Sequence, residues 1–445
     1  MKDTLLDTAP RPNRVLSIDL DDPLPRLVAD EKYGTATVVA WRRGKPRGII
    51  DIDLHQPETT IHRRLRSFAS HAATESVDNE QECPEHHLPM ISVVVSTIVA
   101  READLALLLE AFDRLDYPRV EFIFVDNRRK IPANDPLPAL VAGRPQTRVV
   151  REERPGISAG RNAGIQAARG EIIAFTDDDV RVDVNWLRAI GSRFVAEPHL
   201  QAVTGLVLPA ELETPAQIWY ERYYGGFSGE RTFAPLTLTP VVSRFRGLRG
   251  SRVSARDSSG TELRQFAVYG IGAYGAGANM AFRKNALLRH GGFDIALGTG
   301  TPAKGGEDLA TLIDIVWGGG SIGYEPSAVV HHRHRREYPE LLGQLQNNGL
   351  GFTAMLASLV SADRRHILSI GWQLPRAAWA WLRQGLVRIT GRAVVSVESP
   401  DAGPLPSYPK SLVLHELRRY PAGPLAYWRS RRFARGWHAP TTTTA

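Results

Sequence analysis

The sequence has a single cysteine, Cys83, and no long apolar run. One cysteine cannot close a disulfide within the chain, which excludes a disulfide scaffold. No segment reaches the roughly 18 to 20 apolar residues that cross a bilayer; the nearest, residues 349–360, is too short and is followed by Asp363 and two arginines. Residues 1–7 lack the apolar core of a secretory signal. We therefore expect a cytoplasmic protein, and attachment to the inner face of the plasma membrane stays open.

The chain is long and basic. Its 445 residues are enough for one large α/β domain and a smaller one, and we see no internal repeat. A formal net charge of +7 and an isoelectric point near 9.6 favour anionic partners. Nucleotides, phospholipid headgroups and nucleic acids all meet that condition, so charge alone does not choose among them.

Residues 1–75 have the pattern of a small β-rich domain. Alternating apolar residues at 35–41 and 48–52 flank a turn-like segment at 42–46, which predicts a β-hairpin. The polar residues 76–89 predict a linker to the rest of the chain.

Residues 90–340 alternate strand and helix signals. Buried-strand runs at 91–95, 120–125 and 171–176 are interrupted by helical apolar spacing, most clearly at 105–115. This rhythm predicts an α/β fold with a doubly wound, mainly parallel sheet.

Three consecutive aspartates, Asp177, Asp178 and Asp179, follow the last of these strands. Ligands of open α/β sheets collect at the carboxyl ends of the parallel strands. Adjacent carboxylates repel one another unless they share a cation or a proton, and carboxylate oxygens suit Mg²⁺ or Mn²⁺. The triplet therefore favours a metal site, while a solvated turn or a helix N-cap is the alternative.

Five motifs fall in one order along the chain, at residues 91–101, 125–127, 159–164, 175–179 and 305–308. Together they resemble the family 2 glycosyltransferases of the GT-A fold, over about residues 90–350. The resemblance implies a metal-dependent, inverting transfer of a sugar from a nucleotide-diphosphate donor, with a UDP-sugar as the leading expectation. The acceptor would be a hydroxyl of a saccharide or of a lipid-linked molecule, and the cofactor would be Mn²⁺ or Mg²⁺.

The resemblance also implies a donor site. Its nucleotide-binding residues would be Thr97, Arg101, Asp126, Arg161, Asp177 and Asp178. Asp179 would be the metal ligand and Asp177 would face the ribose or the sugar of the donor, with Asp178 left open as an alternative ligand. The loop at 96–98 has Ser-Thr-Ile where the family usually shows Pro-Thr and an aromatic residue, so backbone contacts to the base are expected without an aromatic stack.

On the acceptor side, the resemblance implies that Asp308 is the general base and that Glu307 orients the acceptor, with the reverse assignment left open. Gly277 and Asn279 belong to a segment rich in small residues, 274–283, which would let a sugar approach the backbone closely. We therefore expect both residues in the sugar pocket.

A histidine cluster, His331-His332-Arg333-His334, follows the strand-like residues 327–330. By resemblance, one of these histidines would be a late ligand of the same metal or a diphosphate contact. Strand alternation puts His332 and His334 on one face. We choose His332 as the ligand, and a basic surface patch is the alternative.

Residues 341–445 predict a helical extension that is rich in arginine and tryptophan. Apolar spacing from Leu341 to Leu356 indicates one helix, and tryptophans with arginines around residues 372–388 and 418–437 indicate others. Such helices fit either a contact with a membrane surface or ordinary packing with arginines that reach to solvent.

Two other functions remain open. The chain could be a catalytically inert nucleotide- or sugar-binding module, although the complete acidic motifs at 177–179 and 307–308 weigh against lost activity. It could instead be a basic nucleic-acid-binding protein, but the acidic centre would repel phosphates unless a metal were bound.

Overall fold

The computed structural model of the chain describes residues 10–74, 83–227, 231–243, 245, 248, 250–375, 379 and 408–436. In this part of the chain, a three-stranded sheet precedes a sheet of 11 strands.

The strands are β1 (Asn13–Asp19), β2 (Thr35–Arg42), β3 (Lys45–Asp53), β4 (Ile91–Thr97), β5 (Val120–Asp126), β6 (Thr147–Arg151), β7 (Ile172–Thr176), β8 (Val180–Val182), β9 (Leu200–Pro209), β10 (Leu236–Pro240), β11 (Arg252–Arg256), β12 (Glu262–Ala267), β13 (Met280–Arg283) and β14 (Ser321–His332). The α-helices are α1 (Glu58–Thr74), α2 (Glu102–Phe112), α3 (Leu137–Val141), α4 (Ile157–Ala167), α5 (Trp186–Ala196), α6 (Pro215–Trp219), α7 (Lys284–Arg289), α8 (Glu307–Trp317), α9 (Tyr338–Ala362), α10 at residues 365–375, α11 (Lys410–Leu417) and α12 (Gly423–Arg435). A π-helical turn covers Tyr220–Tyr224.

The small sheet has the order β1-β2-β3, and β2 and β3 form the predicted antiparallel hairpin. Its turn contains Arg43 and Gly44, both with positive φ. Helix α1, which the sequence analysis did not identify, packs on this sheet through Leu65. The opposite side of β2 contacts the large sheet, where Val39 packs against Leu206 and Leu208. Residues 76–82 of the predicted linker at 76–89 lie outside the described residues.

The large sheet is covered on both faces, because alternate residues of its central strands enter two different cores. Val94 and Phe175 pack on the side of α4 and α8. Val93 and Ala174 pack on the side of α2 and α5. Strands buried on both faces read as continuous apolar runs, and β4 and β7 have that pattern. The predicted α/β class is confirmed.

The strand order β6-β5-β4-β7 is parallel throughout. Strand β13 is antiparallel to β7 and to β9, so β9 and its parallel neighbour β14 run in the same direction as β4. The antiparallel strands β10, β11 and β12 extend the far edge and were not identified from the sequence. The carboxyl ends of β4, β7 and β14 therefore meet at one edge of the sheet.

Helix α4 lies unusually close to β4 because two glycines face that strand. A Cβ at Gly160 would lie 2.1 Å from Ser96 Oγ, and a Cβ at Gly164 would lie 2.2 Å from Val94 Cγ1. The close packing fixes the position of Arg161, which follows Gly160 in the first turns of the helix.

The predicted helix after residue 340 is α9, and α11 and α12 occupy part of the basic region farther on. Residues 380–407, with much of the predicted helix around Trp381, lie outside the described residues. On α10, Leu368 and Trp372 are exposed. No helix among the residues that the structure describes is long and apolar enough to cross a membrane.

Candidate active site

A cleft of about 1140 Å³ opens at the edge where β4, β7 and β14 end. The acidic triplet after β7 and the Glu307–Asp308 pair at the start of α8 both line it, as do Thr97, Arg101 and His332. The sequence-predicted residues that do not line the cleft are Asp126, Arg161, Gly277 and Asn279.

Asp177, Asp179 and His332 form a compact group in this cleft. One ligand atom from each lies within 4.8 Å of the others. His332 Nε2 is 3.4 Å from Asp179 Oδ1 and 3.9 Å from Asp177 Oδ2. The pairing of β14 with β8 creates this arrangement, because His332 is opposite Val180, the residue after Asp179.

The tautomer of His332 follows from its other ring nitrogen. Nδ1 lies 3.0 Å from the carbonyl oxygen of Arg333, which can only accept a hydrogen bond. Nδ1 therefore carries a proton, and Nε2 is the ring nitrogen that faces the two aspartates. Phe227 packs against the imidazole with ring centroids 4.2 Å apart and limits its rotation.

Asp178 points away from this group and accepts a hydrogen bond from the hydroxyl of Thr97. The Thr97 hydroxyl oxygen in turn accepts the backbone N–H of Val99 at 2.8 Å. Burial raises the pKa of Asp178 to about 6, against the lowering effect of the Thr97 hydrogen bond. Both residues line the cleft predicted to hold the donor.

Arg161 is buried beneath the cleft, where its guanidinium joins the two acidic motifs. Nη1 donates to Glu307 Oε1 at 2.9 Å, and Nη2 donates to Asp177 Oδ1 at 3.3 Å and to the Gly277 carbonyl at 3.2 Å. That Arg161 also contacts the donor stays a prediction. Its side chain is only 3% exposed and its hydrogen bonds are already made within the protein.

Glu307 and Asp308 begin α8 directly after Gly306, whose φ is 86°. Burial and the adjacent Asp308 carboxylate raise the pKa of Glu307 to about 7, against the lowering effect of Arg161. Asp308 is more exposed than Glu307. Its Oδ2 accepts the backbone N–H of Gly277 and its Oδ1 that of Leu309, each at 2.8 Å. These bonds fix the orientation of the Asp308 carboxylate.

Gly277 and Asn279, the residues predicted for the sugar pocket, both make contacts within the protein. A Cβ at Gly277 would lie 2.8 Å from Arg161 Nη2 and 3.1 Å from Asp308 Oδ2, so the missing side chain makes room for these two groups. Asn279 is fully buried. Its amide accepts from Trp186 Nε1 at 2.9 Å and donates to the Leu206 and Ala328 carbonyls.

Asp126, predicted to bind the base or the ribose, is covered by arginines. Arg128 binds both of its carboxylate oxygens, at 2.8 and 2.9 Å, and Arg151 approaches to 3.2 Å. Burial acts to raise the pKa of Asp126, but these contacts outweigh it and lower the pKa. The neighbouring Asn127 lines the cleft instead, with its amide bonded to backbone groups of Glu152, Arg154 and Gly156.

Arg101 is at the cleft rim and pairs with Glu340 of α9 at 3.3 Å. Sequence reasoning missed the contributions of Phe227, Lys304 and α9 to the lining. Lys304, in the loop before α8, has a φ of 67°, which is uncommon for a residue other than glycine. Nothing in the sequence before Gly305-Gly306 predicts this conformation. The polar residues of α9 that line the cleft recur at helical spacing, so this pattern in the sequence could have identified them.

Two curated proteins match part of the chain. It is 23% identical over 226 residues to the probable polypeptide N-acetylgalactosaminyltransferase 8 of Homo sapiens, covering 50% of this chain and 31% of that protein. It is 27% identical over 73 residues to the glucosyl-dolichyl phosphate glucuronosyltransferase of Haloferax volcanii, covering 16% of this chain and 23% of that protein. The chain thus spans less than a third of the length of these relatives.

Two solved structures are similar in outline. A mannosyltransferase from Pyrobaculum calidifontis in complex with GDP-Man and Mn²⁺ aligns over 84% of this chain and 93% of that chain, with 17% identity and a TM-score of 0.41. GalNAc-T7 with UDP, GalNAc and Mn²⁺ aligns over 63% of this chain and 54% of that chain, with 16% identity and a TM-score of 0.41.

Residues 92–289 match the family model described as Glycosyl transferase family 2. The matched residues include all of β4 except Ile91, the triplet after β7 and Arg161. This segment of the chain is thus similar to glycosyl transferase family 2.

Proposed function

We propose that the chain is a metal-dependent, inverting glycosyltransferase that uses a nucleotide-diphosphate sugar, with UDP-sugars as the leading candidates. One observation carries the proposal. The group of Asp177, Asp179 and His332 shares a single cleft with Asp308, and Arg161 contacts both Asp177 and Glu307. Arg161 therefore connects the candidate cation site, through Asp177, with the motif that contains the candidate base, through Glu307.

The three side chains fit a divalent cation. Two carboxylates and one imidazole nitrogen form a mainly hard donor set, which Mn²⁺ accepts, and His332 Nε2 is the ring nitrogen that faces the two carboxylates. Bound by Asp177, Asp179 and His332, Mn²⁺ or Mg²⁺ would supply electrostatic stabilisation of the negative charge on the leaving diphosphate.

Asp308 is proposed as the general base. In the proposed step, its carboxylate takes the proton of the acceptor hydroxyl while the hydroxyl oxygen bonds to the anomeric carbon. The bond from that carbon to the diphosphate oxygen breaks, and the nucleoside diphosphate leaves with the electron pair. Attack from the face opposite the leaving group inverts the configuration.

Glu307 is proposed to orient the acceptor, because its carboxylate is held by Arg161 at 2.9 Å. Within the described chain, Asp308 has hydrogen bonds only from backbone N–H groups and no ion pair with an arginine or lysine. Asp308 is also the more exposed of the two residues, so an acceptor hydroxyl can reach its carboxylate more readily, which favours Asp308 over Glu307 as the base.

Cationic side chains support a diphosphate ligand. Arg129, Lys304 and Arg335 line the cleft, and Arg335 Nη1 is 3.8 Å from Asp179 Oδ2. Negative charge that develops on the leaving group would be stabilised by such fixed cations. The acceptor is proposed to be a hydroxyl of a saccharide or of a lipid-linked molecule.

Calorimetric titration with UDP, GDP, dTDP and CMP, each with and without Mn²⁺, tests the donor site. We expect metal-dependent binding of one diphosphate, followed by its release from the matching nucleotide sugar when an acceptor is supplied. Asp308→Asn should bind the nucleotide with unchanged affinity. Its rate of sugar transfer, measured as release of the nucleoside diphosphate from the nucleotide sugar, should be at least about 100-fold lower. Substantial transfer by Asp308→Asn would remove Asp308 as the base.

The same titrations separate the alternatives. Nucleotide binding without any transfer would favour an inert binding module. No nucleotide binding, combined with strongly salt-dependent binding of RNA or DNA, would favour a nucleic-acid-binding protein.

We propose residues 90–340 as the catalytic domain, with residues 1–75 and 341–445 as the flanking regions. Contact of the C-terminal helices with a membrane surface stays a prediction. Its support is the exposure of Trp372 on α10 and Trp428 on α12.

A further inference from the structure

One side of helix α9 forms a polar wall of the cleft. The lining residues of this helix are Pro339, Glu340, Gly343, Gln344, Asn347 and Asn348. They recur at intervals of three and four residues, which places them on a single helical face. We call Gly343, Gln344, Asn347 and Asn348 the amide strip.

The strip runs from the rim of the cleft toward the candidate base. At one end, Glu340 pairs with Arg101, which follows β4. At the other end, α9 touches the loop before α8 so closely that a Cβ at Gly351 would lie 3.0 Å from Gly305 Cα. Asn347 is one helical turn from Gly351, and Gly305 is three positions before Asp308. This end of the strip is therefore near the loop that leads to the proposed base, and the strip and the base line the same cleft.

The chemistry of the strip is neutral and can both donate and accept hydrogen bonds. Each amide offers an oxygen acceptor and an NH₂ donor, which is the combination that sugar hydroxyls match. Gln344 Oε1 is shielded from solvent without a hydrogen-bond partner, and such groups are rare in proteins unless a ligand or water completes them. No cation for a phosphate is present among the four strip residues.

Two features suit the strip to binding a ligand: one of its side chains is held in place, and one position leaves open space. Asn348 is held by a hydrogen bond from its Nδ2 to the Tyr224 hydroxyl at 3.2 Å. At Gly343, an added Cβ would meet nothing within 4 Å, so the helix leaves open space where a side chain would otherwise enter the cleft. A glycine inside a helix lowers the stability of the helix. The space that Gly343 leaves in the cleft gives a functional reason for a glycine at this position.

We propose that the amide strip is the subsite for the saccharide part of the acceptor, with Gln344 and Asn347 as hydrogen-bonding residues and Gly343 as the residue that leaves room for the sugar ring. The inference rests on the proposed function and names the acceptor class of the same cleft. A neutral, hydroxyl-rich saccharide is the ligand that this chemistry recognises.

The test uses a printed array of defined neutral oligosaccharides, probed with the labelled full chain in the presence of Mn²⁺ and the nucleoside diphosphate that binds best. We expect the wild type to be retained by at least one saccharide. Gly343→Leu and Asn347→Ala should weaken that retention at least tenfold, and Gly343→Ala should weaken it less. Gln346→Ala, on the same helix but outside the cleft lining, is the matched control and should behave as the wild type.

Nucleotide titrations on the same preparations keep the two proposals apart. If the nucleotide binds normally to the wild type and to Gly343→Leu, the donor site and the fold are intact in both. Under those conditions, retention by no saccharide, or equal retention of wild type and Gly343→Leu, would overturn the amide strip as the acceptor subsite. If the wild type binds no nucleotide, the proposed function itself would be overturned instead.

Discussion

Arg161 Nη1 lies 2.9 Å from Glu307 Oε1, across 146 positions of sequence. The same guanidinium reaches Asp177 at 3.3 Å. A buried cation thus holds together the two acidic motifs, one after β7 and one at the start of α8. Without it, their carboxylates would face one another at close range in a buried setting.

Replacing Arg161 with methionine should destabilise the protein by about 3 to 5 kcal/mol, because Glu307 would be left as a buried charge without a partner and the partly exposed Asp177 would lose its ion pair. Urea unfolding measures this loss. Arg129→Met, at an exposed position, should change stability by less than about 0.5 kcal/mol.

A double-mutant cycle checks the mechanism of that loss. Adding Glu307→Gln to Arg161→Met should recover part of the stability, since one unpaired charge is removed. Strict additivity of the two single changes would argue against a direct coupling between Arg161 and Glu307.

Asp179→Asn should weaken Mn²⁺ binding at least about tenfold, because it removes a charged ligand oxygen from the proposed site. Asp178→Asn is the matched control and should keep most of the affinity, since Asp178 is turned to the hydroxyl of Thr97. Titration of Mn²⁺ with UDP present measures both. Equal losses in the two variants would show that Asp178 is a ligand as well.

Asn279→Ala tests whether this residue is structural. The change leaves the Trp186 N–H and the Leu206 and Ala328 carbonyls without partners, so we expect a loss of about 3 kcal/mol in the free energy of unfolding. Asn347→Ala removes an exposed amide and should change stability by less than about 0.5 kcal/mol. A stable Asn279→Ala protein with weakened saccharide binding would support the prediction of a sugar contact.

Asp314 predicts a pH dependence of stability. Burial, with the nearby carboxylates of Asp294 and Asp363, raises the pKa of Asp314 to about 7. The folded state therefore binds more protons than the unfolded state between about pH 4 and 7, and the contribution of Asp314 to stability is lost as the pH rises through 7. Its charge near the carboxyl end of α8 is also unfavourable.

Asp314→Asn should be more stable than the wild type at pH 8, by about 1 to 2 kcal/mol. At pH 3.5 this advantage should vanish, because Asp314 is then protonated in both states. Urea unfolding of the two proteins across this range gives the difference directly. A difference that did not change with pH would show that Asp314 titrates normally.

The sequence was informative where chemistry follows local pattern. Thr97, the 177–179 triplet and His332 each follow or end an apolar strand, and the rule for the carboxyl ends of parallel strands brings them to one cleft. The helix starting at Glu307 was also clear from its flanking glycines and apolar spacing.

The sequence was less informative where a side chain is satisfied by distant partners. Asp126 ends its strand as predicted, yet Arg128 occupies both carboxylate oxygens. Arg161 is bound by residues more than 100 positions away, and Asn279 by groups on three other elements. Such pairings depend on how the elements pack, which residue patterns do not specify.

Pulsed electron paramagnetic resonance of Mn²⁺ bound to the chain tests the proposed metal site most directly. We predict ¹⁴N coupling from His332, and ³¹P coupling when the nucleoside diphosphate that binds is added. His332→Gln should abolish the nitrogen coupling and keep the phosphorus coupling. Tightly bound Mn²⁺ without nitrogen coupling in the wild type, or nucleotide bound without phosphorus coupling, would contradict a metal held by Asp177, Asp179 and His332 against the donor diphosphate.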